Sequence, residues 1–354
     1  MACASLLTMA SAMAGDLGGS CCADLEERVA ELEATVATKG NRKVSLTISG
    51  QVSRALLWVD VAGETDHRFV DNTNSPSRVT FSGEAKIGNG MSAGFIYEFG
   101  LGNSPQIEDF LAYPNSNDDL GTRHAAVWLK GAPGKVTLGL TSQATDTFDE
   151  ISVANTVVAS KLLSFGPVSD IYLFGFDLPF DGARRNLVRY DSPAMAGFVA
   201  SASWSDNSAY DAALRYDGEF GGFRVKGAVG YREDDSIAFS ILTIPVSYKT
   251  MLASGSVMHM QSGVFMTGMY ADSDFSGTHL KAFHVQGGIE VRLTELGKTT
   301  FYGEYGQLDL GEKVDAYGAG LIQKFDGLAS DVFLSYRRYD DEISTILGGL
   351  RVNF

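Results

Sequence analysis

The side chains able to do acid–base, nucleophilic or metal chemistry are few and scattered. The chain contains 5 His and 3 Cys, the histidines being His67, His124, His259, His279 and His284. A hydrolase needs a histidine beside a nucleophile or a carboxylate. The nearest pair, His279 and His284, would point to opposite faces of a strand, because their spacing is odd. We therefore predict that the protein is not an enzyme, with no catalytic residue, no metal site and no cofactor.

The cysteines do not form a recognisable framework. Cys3 lies in the apolar segment 1–14, which ends in the small-x-small sequence Ala12-Met13-Ala14. We predict that this segment is a remnant signal peptide. Its removal leaves Cys21-Cys22, and adjacent cysteines lack the spacing of a zinc site or of a disulfide scaffold. A bridge between chains and a pair of unreactive thiols both remain open.

Composition and charge limit the classes of protein. The formal net charge is −15, from 28 basic and 43 acidic residues, which excludes a protein that coats nucleic acid through an excess of Lys and Arg. The 40 Gly, 14 Tyr and 21 Phe against 8 Pro favour extended segments joined by tight turns. No apolar run of about 18 residues follows the first residues, so we predict no helical membrane anchor.

Apolar and polar residues alternate from Lys43 to the end of the chain. Residues 44–52, for example, place Val, Leu and Ile on one face and Ser, Thr and Gln on the other, which is the period of a strand. Short turns tend to alternate with long polar connections at 61–76, 102–121, 143–183 and 233–248. This arrangement is typical of outer-membrane barrels. We predict an all-β fold, a transmembrane antiparallel β-barrel of about 16 strands over residues 43–354.

A soluble β-sandwich would also show alternation, so the apolar face decides between the two folds. Sandwich strands bury that face and need no aromatic band near the strand ends. Such a band is what a membrane interface requires. Aromatic residues on the apolar face are Tyr97, Phe99, Tyr190, Phe198, Trp204, Tyr231, Tyr270 and Tyr305. The sequence therefore favours the barrel.

Residues 15–42 form a separate N-terminal segment with helical signals. Asp24 and Glu27 fit a capping box and Gly40 is placed to end the helix, which predicts a short periplasmic coiled-coil helix over 24–39. The seam of this helix consists of Leu25, Val29, Leu32 and Val36. Two heptads are marginal in water. The helix therefore needs partner helices in an oligomer or a packing surface on its own domain.

Two stretches carry a resemblance to a known family. The chain ends on an alternating strand whose apolar face includes Leu350, Val352 and Phe354, and this strand resembles the membrane-insertion signal of Gram-negative outer-membrane proteins. Residues 186–193 read Asn-Leu-Val-Arg-Tyr-Asp-Ser-Pro and precede Gly197-Phe198, which is similar to the N-x-V-R-Y-D-S-P…G-F stretch of general diffusion porins. The helical head resembles the variant found among alpha-proteobacterial porins. The resemblance covers nearly all of residues 43–354.

The resemblance implies a homotrimer of sixteen-stranded barrels in the Gram-negative outer membrane, in contact with membrane lipid and lipopolysaccharide. It also implies that the third external loop folds inward, and segment 143–183 is longer than loops normally run without a function. The implied function is a passive, water-filled channel for ions and small hydrophilic solutes. The alternative is a substrate-selective channel, or a structural barrel that tethers the outer membrane to peptidoglycan through the N-terminal coil.

Charged residues of this loop and of the barrel wall supply the predicted pore constriction, because porins oppose loop acids to wall arginines. The loop acids are Asp146, Asp149, Glu150 and Asp170. The wall arginines are Arg78, Arg185 and Arg189, joined by Arg54 if a bulge shifts the phase of its strand. A transverse field across a narrow, wet passage orders water and favours polar solutes. Lumen-facing charges also form structural wall pairs, and that alternative stays open for each residue.

Overall fold

The computed structural model describes residues 38–39, 42–100, 121–164, 180–239, 242–275, 277–309, 311–340 and 343–354. Outside them lie the predicted signal peptide 1–14, the cysteine pair, Asp170, and the helix seam of Leu25, Val29, Leu32 and Val36. The end of the predicted helix 24–39 is wrong, because Thr38–Lys39 (β1) pairs with Arg42–Lys43 (β2) as a short antiparallel ladder. Gly and Asn between two extended segments are a hairpin signal.

The remaining strands form one closed antiparallel barrel. They are β3 (Ser45–Val61), β4 (Glu64–Asp71), β5 (Arg78–Gly88), β6 (Met91–Gly100), β7 (Gly121–Gly131), β8 (Gly134–Ser142), β9 (Arg184–Asp191), β10 (Phe198–Ser205), β11 (Tyr210–Phe220), β12 (Phe223–Phe239), β13 (Leu242–His259), β14 (Val264–Phe275), β15 (Thr278–Thr294), β16 (Gly297–Asp309), β17 (Lys313–Phe325), β18 (Ser330–Tyr339) and β19 (Ile343–Asn353). The last strand pairs with β3 and closes the ring. Within the described residues, no helix has both the length and the apolarity needed to cross a bilayer.

The barrel has sixteen strand positions, because β4 and β5 occupy one position together. Residues 54–61 of β3 pair with β4, and residues 45–51 of β3 pair with β5. The predicted strand number is therefore confirmed. The long loops predicted at 61–76 and 233–248 are wrong, since β4, β12 and β13 take up most of them. These segments are polar, but the neighbouring strands still supply partners for their backbone groups.

Successive side chains point to opposite faces of the wall. In β3, Val52 and Trp58 are exposed on the outer face, whereas Ser53 and Leu57 point inward and are buried. Five residues of the predicted aromatic band are exposed on the outer face, namely Tyr97, Tyr190, Phe198, Trp204 and Tyr270. An apolar surface of this extent marks an interface with a partner or a membrane.

The apolar core lies inside the barrel, between its wall and one connection. We name residues 143–164 and 180–183, which join β8 to β9, the inner loop. Phe148, Val158 and Leu162 of this loop belong to the same buried cluster as the inward-facing wall residues Leu57 and Phe333. Burying such a side chain contributes about 1.5–3 kcal/mol. The inner loop is therefore part of the hydrophobic core.

The chain end closes the barrel against the start of β3. The amide of Gly50 donates to the Phe354 carbonyl at 2.8 Å, and the amide of Phe354 donates to the Gly50 carbonyl at 3.0 Å. A Cβ on Gly50 would lie 2.5 Å from the Arg78 carbonyl oxygen and 2.7 Å from the Phe354 ring. Leu350, Val352 and Phe354 are all exposed on the outer face. Their role as an insertion signal stays a prediction.

We expect Gly50→Val to lower the yield of closed barrel, because overpacking of this kind costs about 1–3 kcal/mol. The measurement is the fraction refolded into detergent micelles, read from the mobility of unboiled samples on gels. The matched control is Gly303→Val on β16, where the nearest atom to an added Cβ is 3.8 Å away. Equal yields for the two variants would contradict the role of Gly50 at the closure.

Candidate functional site

The two ends of the inner loop are joined to each other and to β9. The amide of Gln143 donates to the Ala183 carbonyl at 3.0 Å, and that of Gly182 donates to the Thr145 carbonyl at 3.2 Å. Arg189 donates through Nη1 to the carbonyls of Ser142 at 3.2 Å and Gln143 at 3.0 Å. These bonds hold the loop where it leaves the wall.

From this root the loop follows the inner wall across β11 to β13. The amide and the hydroxyl of Thr145 donate to Asp211 Oδ2 at 2.6 and 2.7 Å. Phe148 is fully buried, with the Arg215 guanidinium 5.2 Å from its ring centroid. Further on, the amide of Val153 donates to Ser256 Oγ at 3.0 Å. Both polar and apolar contacts therefore hold this part of the loop against the wall.

The far part of the loop reaches β15 and the β4–β5 junction. Thr156 Oγ1 donates to Gln286 Oε1 at 2.7 Å, and the Leu163 amide donates to His284 Nδ1 at 2.9 Å. Asn72, in the junction between β4 and β5, donates through Nδ2 to the Val158 carbonyl at 2.7 Å. The loop thus spans the barrel from one side of the wall to the other.

A buried ion pair between β16 and β18 fixes this far part. Arg337 donates through Nε to Glu304 Oε1 at 2.8 Å and through Nη1 to the Ser164 carbonyl at 2.6 Å. Ser160 donates to Glu304 Oε2 at 2.6 Å and also contacts Arg337. A buried charge left without its partner destabilises by about 3–5 kcal/mol. The loop therefore completes the hydrogen bonding of a charged pair that the wall buries.

The edge of the loop that borders the open lumen is acidic. Lys161 lies 3.3 Å from Asp149 Oδ2 and 2.8 Å from Glu150 Oε1. Glu150 has 41% of its side chain exposed, against 19% for Asp149. Burial opposes ionisation of Glu150, but Lys161 and then Arg78 lower the pKa of its carboxyl group overall. Glu150 is therefore the accessible negative charge of this edge.

Desolvation disfavours the ionisation of two aspartates that lie behind Glu150. Burial raises the pKa of Asp149, and the pKa of Asp181 is raised well above its usual value by burial and by the neighbouring Asp149 and Asp146. The Thr147 amide donates to Asp181 Oδ2 at 3.2 Å. Desolvation penalises Lys161 as well, yet Asp149 and Glu150 raise the pKa of its ammonium group. The loop edge is thus an ionic cluster in its own right.

Arginines on the wall face this edge across the lumen. Arg123 Nε donates to Glu98 Oε1 at 2.8 Å, and Arg78 Nε lies 3.9 Å from Glu98 Oε2. Both arginines lie close enough to Glu150 to lower the pKa of its carboxyl group. Arg351 Nη2 lies 2.5 Å from Asp331 Oδ2. Arg351 is also close enough to Arg78 for the two positive charges to repel each other. The site therefore opposes a cationic wall to an anionic loop edge.

Arg54 is not part of this wall, so its predicted role is wrong. The pairing of β3 with β19 and β4 is continuous through Arg54, without the bulge that the prediction required. Its side chain accordingly shares the outer face with Val52 and Trp58. There it lies 3.9 Å from Asp71 Oδ1. Arg54 is a residue of the barrel's outer surface.

The other predicted arginines differ in position. Arg78 faces the lumen, with 32% of its side chain exposed. Arg189 also faces inward, where it pairs with Asp191 at 2.8 Å and holds the loop root. Arg185 faces inward as well and donates to the buried Asp234, and its role in the constriction stays a prediction. Of the loop acids, Asp146 lies 4.0 Å from Arg184 and has only 10% of its side chain exposed.

Several charges of the site were not predicted. They are Arg123, Arg184, Arg215 and Arg351 on the wall and Lys161 and Asp181 in the loop. Arg351 has a clear signal, because it alternates with the apolar residues of the last strand. Arg123 has none, since a register shift between Glu98 and Phe99 sets its position. Lys161 lies in the most apolar part of the loop, where the sequence gives no sign of a partner. Only the folded structure shows that it pairs with Asp149 and Glu150.

Two cavities occupy the lumen beside the loop. The larger has a volume of about 490 Å³ and is lined by Asp146, Thr147, Arg189, Asp191, Arg215 and Lys226 among others. The second measures about 300 Å³ and shares Arg189 and Asp191 with the first. Among the described residues, no group of three or more His, Cys, Asp or Glu is placed to hold a metal ion. The open space is thus lined by charges of both signs.

The Asp149–Asp181 pair makes the packing of the inner loop depend on pH. Both pKa values are raised in the folded protein, so the native state binds more protons and loses stability as the pH rises from about 4 through the raised values. We expect amides of the loop to lose hydrogen-exchange protection as the pH rises above about 4. The loss should be roughly tenfold for each unit of pKa shift. Asp181→Asn should reduce this loss.

The control for this measurement is Asp217→Asn, because Asp217 is a largely exposed lumen carboxylate, 3.7 Å from Lys226. It should keep the wild-type dependence on pH. The account of the aspartate pair fails if Asp181→Asn and the wild type lose protection in parallel.

Comparison with known proteins agrees with the fold. A family model described as Gram-negative porin matches residues 2–344. Over 156 residues the chain is 27% identical to "Major outer membrane protein P.IB" of Neisseria sicca, a match covering 44% of this chain and 38% of that protein. The chain therefore matches well under half the length of this relative.

Solved structures show the same architecture. The anion-selective porin from Comamonas acidovorans is 15% identical, with 88% of this chain and 100% of that chain covered and a TM-score of 0.64. OmpT of Vibrio cholerae in its trimer form is 14% identical, with 88% and 99% covered and a TM-score of 0.60. At these identities the likeness concerns the fold alone. The family match, which runs along almost the whole sequence, shows that this chain belongs to the Gram-negative porins, a family of outer-membrane β-barrels.

Proposed function

We propose that this protein is a passive channel through which ions and small hydrophilic solutes diffuse across the outer membrane. The observation that carries the proposal is the opposition of Glu150, on the inner loop, to Arg78 and Arg123 on the wall. A closed barrel with a wet, charged interior allows solutes to pass. The inner loop narrows that passage to the space beside its acidic edge.

The opposed charges select solutes by polarity. A field directed across the lumen, from the arginines to Glu150, orients water and any solute that carries a dipole. An apolar solute would have to displace that oriented water without replacing its interactions. Transport of this kind follows the concentration gradient, so it needs neither an energy source nor a cofactor nor a catalytic group.

The contacts of the loop support a constriction that is permanent. Apolar packing, the Thr145–Asp211 bonds and the Glu304–Arg337 pair all hold the loop to the wall. The alternative of a tether to peptidoglycan depends on the N-terminal coil, outside the described residues, and stays a prediction. Contacts with lipopolysaccharide also stay a prediction.

We also propose that the barrel is a homotrimer, and its outer surface supports this. Arg54 places a half-exposed charge on the outer face of β3, 3.9 Å from Asp71, whose side chain is only 7% exposed. A charge facing lipid near the middle of the bilayer costs about 2–4 kcal/mol. A neighbouring subunit would shield this charge. The solved OmpT structure described as a trimer form is consistent with that arrangement.

The first test of the channel is electrical. Purified protein added to planar bilayers should produce stepwise increases in current as channels insert. Protein that is folded, as judged by unboiled gel mobility, yet produces no such steps would overturn the proposed function.

Removing either side of the constriction should shift ion selectivity in opposite directions. We expect Arg78→Ala with Arg123→Ala to raise the permeability of cations relative to anions, and Glu150→Gln to lower it. One charge about 7 Å away in water is worth about 0.6 kcal/mol, or roughly threefold in the permeability ratio. The measurement is the reversal potential in a salt gradient at low ionic strength, where screening is weak.

The matched control for selectivity is Arg54→Ala, which removes an arginine from the outer face. Its reversal potential should equal that of the wild type. If Arg54→Ala shifts selectivity as much as the double wall variant does, the effect belongs to overall charge and not to the constriction.

Releasing the far part of the loop should enlarge the passage. We expect the double variant Glu304→Gln and Arg337→Met to raise single-channel conductance or current noise, since it removes the bonds to Ser160 and Ser164 without leaving one buried charge unpaired. The control is Arg338→Met, whose side chain lies on the outer face. Identical conductance in all three proteins would show that the pair does not position the loop.

A further inference from the structure

Three glycines lie side by side on the outer face of adjacent strands. Gly227 of β12 pairs with Gly255 of β13, and Gly255 pairs with Gly268 of β14. The row ends at Tyr216 of β11, the partner of Gly227, and at Val285 of β15, the partner of Gly268. The strand alternation places all five residues on the outer face. The outer face of the wall therefore has no side chains along a row that crosses three adjacent strands.

The barrel itself does not require glycine at these positions. An added Cβ would lie no closer than 3.5 Å to another atom at Gly227, 3.8 Å at Gly255 and 3.4 Å at Gly268, all ordinary van der Waals distances. The pairing is regular through each glycine, without a bulge. None of the three has the positive φ that excludes other residues. Glycine within a strand costs about 0.5–1 kcal/mol relative to alanine.

Strand glycines without a bulge or a bend often mark a close approach by a ligand or another backbone. By contrast, Gly288 on β15 would bring a Cβ within 2.0 Å of the Phe301 carbonyl oxygen, so the barrel explains that glycine. The row Gly227, Gly255 and Gly268 has no such internal explanation.

A groove of about 590 Å³ runs along this row. The outward-facing side chains that border it are apolar or aromatic, and they include Phe198, Val229, Tyr270 and Phe283. Val229 is 54% exposed and Tyr270 46% exposed. The occupant of the groove must therefore be apolar.

The position of the groove identifies the source of the occupant. The groove is continuous with the apolar outer face, which contacts the bilayer in an outer-membrane barrel. It lies on the far side of the ring from the Arg54–Asp71 pair, because β13 is seven positions from β3 by the shorter way round a ring of sixteen, where eight is the maximum. A hydrocarbon chain is apolar and flexible, so it can follow a row without side chains and bring no polar group to this face.

We propose that the glycine row of β12, β13 and β14 is a binding site for one fatty acyl chain of a membrane lipid. The chain lies across the strands, over Gly227, Gly255 and Gly268, with Tyr270 and Phe283 along one side and Tyr216 at one end. This site depends on the membrane location and not on conduction through the lumen.

The test uses the full chain in dioleoylphosphatidylcholine vesicles that contain a phosphatidylcholine with a diazirine in its acyl chain. After illumination, mass spectrometry locates the labelled residues. We expect labelling of Tyr216, Tyr270 and Phe283 to exceed that of Leu138 and Phe301, exposed on the outer faces of β8 and β16, by about fivefold, which corresponds to a preference of about 1 kcal/mol. Even labelling around the barrel would overturn the proposal.

Filling the groove gives the second arm of the test. Gly255→Leu should abolish the excess labelling, and Gly268→Leu should do the same if Gly255→Leu fails to fold. Gly303→Leu on β16 adds equal bulk outside the groove and should leave the excess unchanged. Excess labelling that persists in the filled variants would overturn the proposal, and so would groove residues that crosslink to a second copy of the chain instead of to lipid.

Discussion

The structure depends on the requirement that every strand of a membrane barrel find a backbone partner on both edges. β19 must therefore meet β3, which brings the terminal Phe354 against Gly50. The same requirement explains why β4 and β5 share one position, since together they cover the full length of β3. Once the ring is closed, the wall has an inner face of defined shape. The inner loop binds to that face.

The inner loop uses one set of contacts for stability and for function. Its apolar side chains, such as Phe148 and Val158, pack against inward-facing apolar residues of the wall, such as Leu57 and Phe333, and form the buried core with them. Its carbonyl groups satisfy wall residues such as Arg337 and Asn72. What the loop leaves exposed is its charged edge with Glu150. Packing of the loop thus decides which of its charged side chains are exposed inside the barrel.

The outer surface is not uniform around the ring. On one side, Arg54 places a half-exposed charge on the outer face, 3.9 Å from the largely buried Asp71. On the other, a row of small residues at Gly227, Gly255 and Gly268 leaves an apolar groove. Lipid disfavours the charged surface at Arg54 and accepts the apolar groove at the glycine row. We therefore expect the Arg54 side to face another subunit and the glycine row to face lipid. The two sides of the outer surface therefore differ in the kind of neighbour that their side chains favour.

The sequence by itself determined the barrel, its strand number and the inward-facing arginine Arg78, because alternation with a period of two is a local property of the chain. Tertiary structure decided the rest of the site. Arg54 faces outward because its strand has no bulge, whereas a register shift at Glu98 positions Arg123. Polar segments such as β4 became strands because neighbouring strands paired with them. The loop contacts join residues as far apart as 177 positions, as for Ser160 and Arg337, and only closure of the ring brings such residues together.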